Sequence, residues 1–345
     1  MDNTNQLLKI SNLQVSFPTD DGDVKAVDNL NLTLNIGETV AIVGESGSGK
    51  TVTSLSVMGL HNLRATKVSG EILVRDGDDS IDVFSASEEK VRSLRGRAVS
   101  MIFQDPMSSL HPYYRIGNQL GEAFLVHNPG KRKEAKTRTL EMLELVGISE
   151  PDKRANEYPH QFSGGMRQRV MIAMALMNNP KVLIADEPTT ALDVTVQAQI
   201  LTLLKDLQKE FKMGILIITH DLGVVAQIAD RVSVMYAGNL VEQGSADDIF
   251  YNPMAPYTVG LLHSVPRITI GKKSRLQSIP GQPPSLISLP SGCAFAPRCT
   301  YIANAPAGSC DASLPVLTGT DSSHVSRCHI PEANRAALFS VGKAK

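Results

Sequence analysis

The sequence predicts an α/β fold, a parallel or mixed sheet covered by helices, with a helical insert and a C-terminal extension of different character. Three observations carry this. Short apolar runs alternate with helical stretches over most of the first 244 residues, a proline-punctuated helical segment interrupts them between residues 107 and 160, and beyond Gly244 the chain turns Pro-rich and holds all four of its cysteines. At 345 residues it is long enough for two or three compact units. Its 34 basic against 35 acidic residues give a formal charge of −1, so no polyanion-seeking surface is implied and no nucleic-acid partner is expected. Met1 to Gln6 lack the basic and apolar regions of a signal peptide, and no apolar run approaches the ~18 residues of a membrane span, so a cytosolic chain is expected.

Strands are expected at Leu7–Phe17 and Thr39–Val43. The second runs into Gly44-Glu45-Ser46-Gly47-Ser48-Gly49-Lys50-Thr51, a complete G-x-x-x-x-G-K-[ST] loop between a strand and a helical stretch. Its glycines let the backbone wrap tightly, so that successive N–H groups and the helix N-terminus converge on a β-phosphate. Lys50 adds a point charge toward the β- and γ-phosphates, and the Thr51 hydroxyl is placed to ligate Mg²⁺. A strand at Ser100–Phe103 leads to Gln104, after which Pro106, Pro112, Pro129, Pro151 and Pro159 punctuate the insert, and Glu134–Val146 reads as a helix stopping at Gly147. Ser163-Gly164-Gly165 opens an apolar helix through Val170, Ile172 and Leu176, a second anion-binding device. Taken alone, Ser-Gly-Gly is a common flexible linker.

The strand Lys181–Ala185 ends in Asp186 and Glu187. In a chain with a phosphate loop, Asp186 is the expected Mg²⁺ partner and Glu187 the group that polarises the attacking water. Val196, Ile200, Leu203, Leu204, Leu207 and Phe211 recur at steps of three and four, the buried face of one long helix. A strand at Ile215–Thr219 precedes His220, and Val232–Tyr236 and Leu240–Glu242 read as a hairpin joined through Ala237-Gly238-Asn239.

Taken in order, these strings resemble the motifs of ATP-binding cassette (ABC) ATPases: Phe17 as the aromatic that stacks on adenine, the phosphate loop, Gln104, Ser163-Gly164-Gly165 as the signature, Asp186-Glu187, the Ala191-Leu192-Asp193 turn, and His220. Met166 stands where the general signature has Gln. The resemblance implies an ABC-type phosphate-loop fold in four parts. A RecA-like ATP-binding core fills 1–106 and 166–244, a helical subdomain ending in the signature fills 107–165, and the extension fills 245–345. It also implies ATP hydrolysis with Mg²⁺ held through Thr51, Gln104 and Asp186, and catalysis by Glu187, Gln104 and His220. Two cassettes would sandwich two ATP molecules head to tail, so that Ser163, Gly164 and Gly165 serve the partner's ATP, and Asp193 is counted with the nucleotide-binding residues. Longer strings, among them Phe103-Gln104-Asp105-Pro106-Met107 and Asp186-Glu187-Pro188-Thr189-Thr190-Ala191-Leu192-Asp193, look like the ATPases of oligopeptide and dipeptide importers, most of all their D-type subunit. That implies a homologous second ATPase, two transmembrane permease subunits, an extracytoplasmic solute-binding protein, and a peripheral position on the cytoplasmic face of the inner membrane. Met107, Leu110, Tyr113, Tyr114 and Ile116, close behind Gln104, are the expected docking point for a permease loop.

The cysteines fall as C-x5-C-x10-C-x17-C, at Cys293, Cys299, Cys310 and Cys328. Disulfides do not suit a reducing cytosol, and neither the close zinc knuckles nor the ferredoxin spacings are present. The family resemblance implies a [4Fe–4S] cluster, with zinc or unligated thiols as alternatives and His324 and His329 as spare donors. Nickel or another small peptide-like solute is the alternative cargo. A non-transport ABC ATPase is the alternative class, disfavoured because the insert is too short for a long heptad arm.

Overall fold

A computed structural model describes residues 5–105, 109–190, 192–264, 278–319 and 323–339. In chain order, β1 (Gln6–Thr19) and β2 (Gly22–Asn35) form a long antiparallel hairpin, and β3 (Thr39–Val43) runs through the glycine-rich loop into α1 (Lys50–Val57). β4 (Lys67–Asp76) and β5 (Asp79–Asp82) complete the sheet β2-β1-β4-β5. Then come α2 (Glu88–Leu94) and β6 (Val99–Ile102), followed by the helical segment α3 (Ile116–Leu125), α4 (Arg132–Leu145), α5 (Pro151–Arg154) and α6 (Gly164–Ala175). The chain returns through β7 (Val182–Asp186), α7 (Val194–Phe211), β8 (Gly214–Thr219), α8 (Leu222–Ile228), β9 (Arg231–Tyr236), β10 (Asn239–Ser245), α9 (Ala246–Tyr251) and α10 (Pro256–His263). The tail adds α11 (Ser309–Ala312), β11 (Leu317–Gly319), β12 (Val325–Arg327) and α12 (Glu332–Leu338).

The second sheet has the order β11-β12-β10-β9-β3-β8-β7-β6, parallel from β9 through β6 and antiparallel beyond. Its central strands are buried on both faces, which is why they read as unbroken apolar runs. Side chains alternate along a strand, so Val40 and Ile42 of β3 pack toward the antiparallel sheet while Ala41 and Val43 face the helices. Loops at the C-terminal ends of these parallel strands carry Gly44, Gln104, Glu187 and His220, where an open α/β sheet places its ligands.

The long helix α7 buries Ile200, Leu204 and Leu207, half-buries Val196, Leu203 and Phe211, and is capped by Asp193, whose carboxylate accepts from the Val196 N–H at 2.9 Å. The β9–β10 turn places Ala237 at φ 47° and Gly238 at φ 81°, the paired positive values of a two-residue hairpin loop. Two features depart from the sequence expectation. Most of the antiparallel sheet lies outside the predicted strands, although Leu30, Leu32 and Leu34 alternate with polar residues along β2. The Pro-rich tail, mostly turns and irregular chain, nonetheless joins the core, because β12 pairs with β10 and extends the main sheet.

Candidate nucleotide site

The loop after β3 is shaped by two glycines that nothing else can replace. Gly44 has φ +154°, and a Cβ there would lie 2.1 Å from the Met235 carbonyl oxygen; at Gly49, φ +103°, a Cβ would lie 2.3 Å from that of Ala26. The loop is thus pressed against β9 and β2 with no room for a side chain. Lys50 Nζ donates to the carbonyls of Gly44 at 2.7 Å and Glu45 at 2.9 Å, so the ammonium is held inside the loop's curve. Burial pushes the Lys50 pKa down, against the pull of Glu187, Asp186 and Glu45.

β7 delivers Asp186, buried, and then Glu187, whose backbone takes the left-handed φ of 49° with its N–H donating to the Ile218 carbonyl at 2.8 Å. That conformation is costly for a non-glycine residue, and the ladder to β8 holds it in place. Both carboxylate oxygens of Glu187 are engaged: Oε1 accepts from His220 Nδ1 at 2.8 Å, and Oε2 from Gln104 Nε2 at 2.8 Å and Thr190 Oγ1 at 3.0 Å. Burial acts to raise its pKa, but the hydrogen bonds from His220 and Thr190 and the nearby charges outweigh it and hold Glu187 ionised below the usual carboxylate range. Asp186 goes the other way, raised by burial despite a hydrogen bond from the Thr51 hydroxyl. A desolvated carboxylate beside a hydroxyl is a donor set that suits a hard divalent cation.

Phe17, the loop Gly44–Thr51, Gln104, Glu187 and His220 all line one cleft of about 980 Å³. The structure brings these residues, far apart in the sequence, to one cleft. Leu261, Ile279 and Leu286, from the stretch after β10, supply a further wall that the sequence did not indicate. Ser163, Gly164 and Gly165 do not line the cleft. Ser163 caps α6, its hydroxyl accepting from the Met166 N–H at 3.3 Å. Met1, Pro106, Met107 and Ala191 lie outside the described residues.

The family description "ABC transporter" matches residues 27–190, and "Oligopeptide/dipeptide transporter, C-terminal region" matches residues 241–305. The dipeptide transport ATP-binding protein DppD of Bacillus subtilis is 50% identical over 341 residues, 99% of each chain. The oligopeptide transport ATP-binding protein OppD of Salmonella typhimurium is 52% identical over 297 residues, 86% of this chain and 87% of the relative. This chain belongs to the ABC transporter ATPases. A dimeric post-hydrolysis structure of the ATP-binding cassette MJ0796, bound to ADP and Pi, is 29% identical with a TM-score of 0.61, covering 70% of this chain and 99% of that one.

In this ABC ATPase the tail closes over a second cavity, small at about 40 Å³, lined by Cys293, Cys299, Cys310 and Cys328 together with Tyr257 and Phe295. Burial pushes Cys299 up to about 12 and raises Cys293 and Cys328 as well, with the neighbouring thiols adding to the effect. Among the described residues no three His, Cys, Asp or Glu side chains stand close enough to hold a metal ion, so the cavity gathers the donors without presenting a preformed site. His329 lines the cavity. His324 does not: its Nε2 pairs with Oε1 of the buried Glu242 at 2.9 Å, which removes it as a spare donor. No helix among the described residues is long and apolar enough to cross a membrane. Sequence reasoning missed Thr190, Tyr257 and Arg298, all of which touch the site. Only Arg298 carried a signal, its place beside Cys299.

Proposed function

We propose that this ABC ATPase binds and hydrolyses ATP to energise the import of oligopeptides or dipeptides through partner permeases. The observation that carries the reading is the union, in one chain, of a complete cassette and a C-terminal region matched to oligopeptide and dipeptide transporters over residues 241–305. Lys50 and the loop N–H groups would cradle the phosphates, Thr51 and Asp186 with Gln104 would hold Mg²⁺, and Phe17 would stack on the adenine. Glu187, held ionised, would polarise the attacking water, with His220 releasing its Nδ1 contact to meet the γ-phosphate. Ser163, Gly164, Gly165 and Asp193 would complete the site of a second, homologous ATPase. That arrangement is supported by their absence from the cleft of their own chain. The expected assembly adds two permeases and an extracytoplasmic solute-binding protein, with this chain peripheral on the cytoplasmic membrane face. The test is hydrolysis by the assembled transporter in vesicles. Stimulation by peptide-loaded binding protein supports the reading, whereas stimulation by a nickel complex and not by peptides would give the site another cargo.

The four cysteines are read as ligands of a [4Fe–4S] cluster, with zinc as the other occupant. Support comes from their meeting at one cavity, since the phosphate chemistry of the cleft leaves all four thiols unused. A metal group there would supply folding free energy to the tail.

A further inference from the structure

The second residue of the phosphate loop is a carboxylate. Glu45 sits in the cleft that takes a polyphosphate, where its charge opposes binding, and nothing in the loop's wrapping requires an acid. Arg298 answers it. The Arg298 side chain is only 5% exposed, and its Nη1 and Nη2 donate to the two Glu45 oxygens at 2.6 and 3.0 Å, a bidentate pair. Nη1 also donates to Tyr236 Oη at 3.2 Å and Nε to the Pro280 carbonyl at 2.8 Å, while the guanidinium lies 6.0 Å from the centroid of the Phe295 ring. On its other side the Glu45 N–H donates to Tyr257 Oη at 2.9 Å. The loop is thus gripped at backbone and side chain by groups that wall the cysteine cavity or sit beside it. Arg298 itself closes the short turn between Cys293 and Cys299, its N–H bonded to the Phe295 carbonyl at 3.0 Å and the Cys299 N–H to that of Ala296 at 3.2 Å.

We propose that Arg298 is a positioning residue of the nucleotide site, which neutralises Glu45 and holds the phosphate loop open to ATP, and that through it the cysteine-lined cavity and the nucleotide cleft are energetically coupled. The inference rests on reading Gly44–Thr51 as the ATP site. It differs from simple docking of the tail in its charge logic. If Arg298 only anchors the tail, removing the Glu45 charge does nothing for a chain lacking the arginine. If Arg298 neutralises Glu45, removing that charge restores what was lost. Coupling is also reciprocal, so ATP must stabilise the turn that carries Arg298.

The experiment measures the Kd of MgATP on the full chain by displacement of a fluorescent ATP analogue. Arg298→Met should raise Kd about 10-fold or more, the effect of one unmatched charge a few ångströms from a polyphosphate. Arg298→Lys, which keeps the charge and loses the fork, should fall between, and adding Glu45→Gln to Arg298→Met should recover most of the affinity. Hydrogen exchange at the Arg298 and Cys299 amides should slow several-fold on adding MgATP to the wild type and not to Arg298→Met. An unaltered Kd in Arg298→Met, a double variant as weak as the single one, or amides indifferent to MgATP overturns the proposal. Should Arg298→Met not fold, Arg298→Lys with and without Glu45→Gln decides in the same way. Lys50→Ala is the separate control, since retained MgATP binding there would overturn the ATP-site reading itself.

Discussion

Glu187 occupies a strained backbone position and spends both carboxylate oxygens on Gln104, Thr190 and His220, the pattern of a group kept ionised and aimed. Glu187→Gln keeps the shape and removes the base, so the transporter should still bind MgATP while turnover at this subunit's site falls roughly 10²–10⁴-fold in single-turnover assays. An undiminished rate would remove Glu187 from the role. Lys50→Ala should instead abolish binding, because the loop loses the ammonium that Gly44 and Glu45 hold in its curve. At this scale the sequence was most legible. Phosphate chemistry needs particular atoms at fixed spacing, and Gly44–Thr51, Asp186-Glu187, Gln104 and His220 are contiguous strings or single residues at strand ends. Arg298 was hidden because its partner lies 253 residues away, a separation that no local pattern encodes.

Among the elements, the buried parallel strands announced themselves through continuous apolar runs, and α7 through its stripe. Of the antiparallel sheet only β1 was read; β2, β4 and β5 were not, and β2 pairs with β1 through several register shifts. In β2 the alternation of Leu30, Leu32 and Leu34 spans too few residues to stand out beside the polar stretch before it. The set behind Gln104 splits in the fold: Leu110 and Ile116 are core residues, while Tyr113 and Tyr114 are 83% and 56% exposed and lean on His111. Two exposed aromatics on the loop that follows Gln104 fit an interface anchor. Tyr113→Glu with Tyr114→Glu should leave the melting temperature of the isolated chain within a few degrees of wild type and weaken both co-purification with the permeases and solute-stimulated hydrolysis. Unaltered assembly and stimulation would place the permease contact elsewhere.

For the whole molecule, Ser163, Gly164 and Gly165 lie away from the cleft of their own phosphate loop, and in the proposed dimer each chain would hold halves of two sites. The isolated protein should hydrolyse ATP slowly, with specific activity rising with protein concentration as dimers form; full activity independent of concentration would contradict this. Anaerobically purified protein should be brown, with about four iron and four sulfide per chain. One zinc and no iron would give the cavity to the other occupant, and metal-free protein with four titratable thiols would discard both. In that metal-free form burial raises Cys293, Cys299 and Cys328, so alkylation at these three should be slow at neutral pH, and at Cys299 it should quicken only as pH climbs toward about 12. The pairing of β12 with β10 has a bearing on any attempt to work with the cassette alone. Cutting the chain after residue 305, where the matched C-terminal region ends, would strip β10 of its neighbour and leave a row of unpaired N–H and C=O groups, with Glu242 deprived of His324. The three-residue β11 is a blunt margin that discourages sheets of separate molecules from joining, whereas a bare seven-residue β10 invites it, so the trimmed protein should form aggregates through strand addition that the full chain avoids.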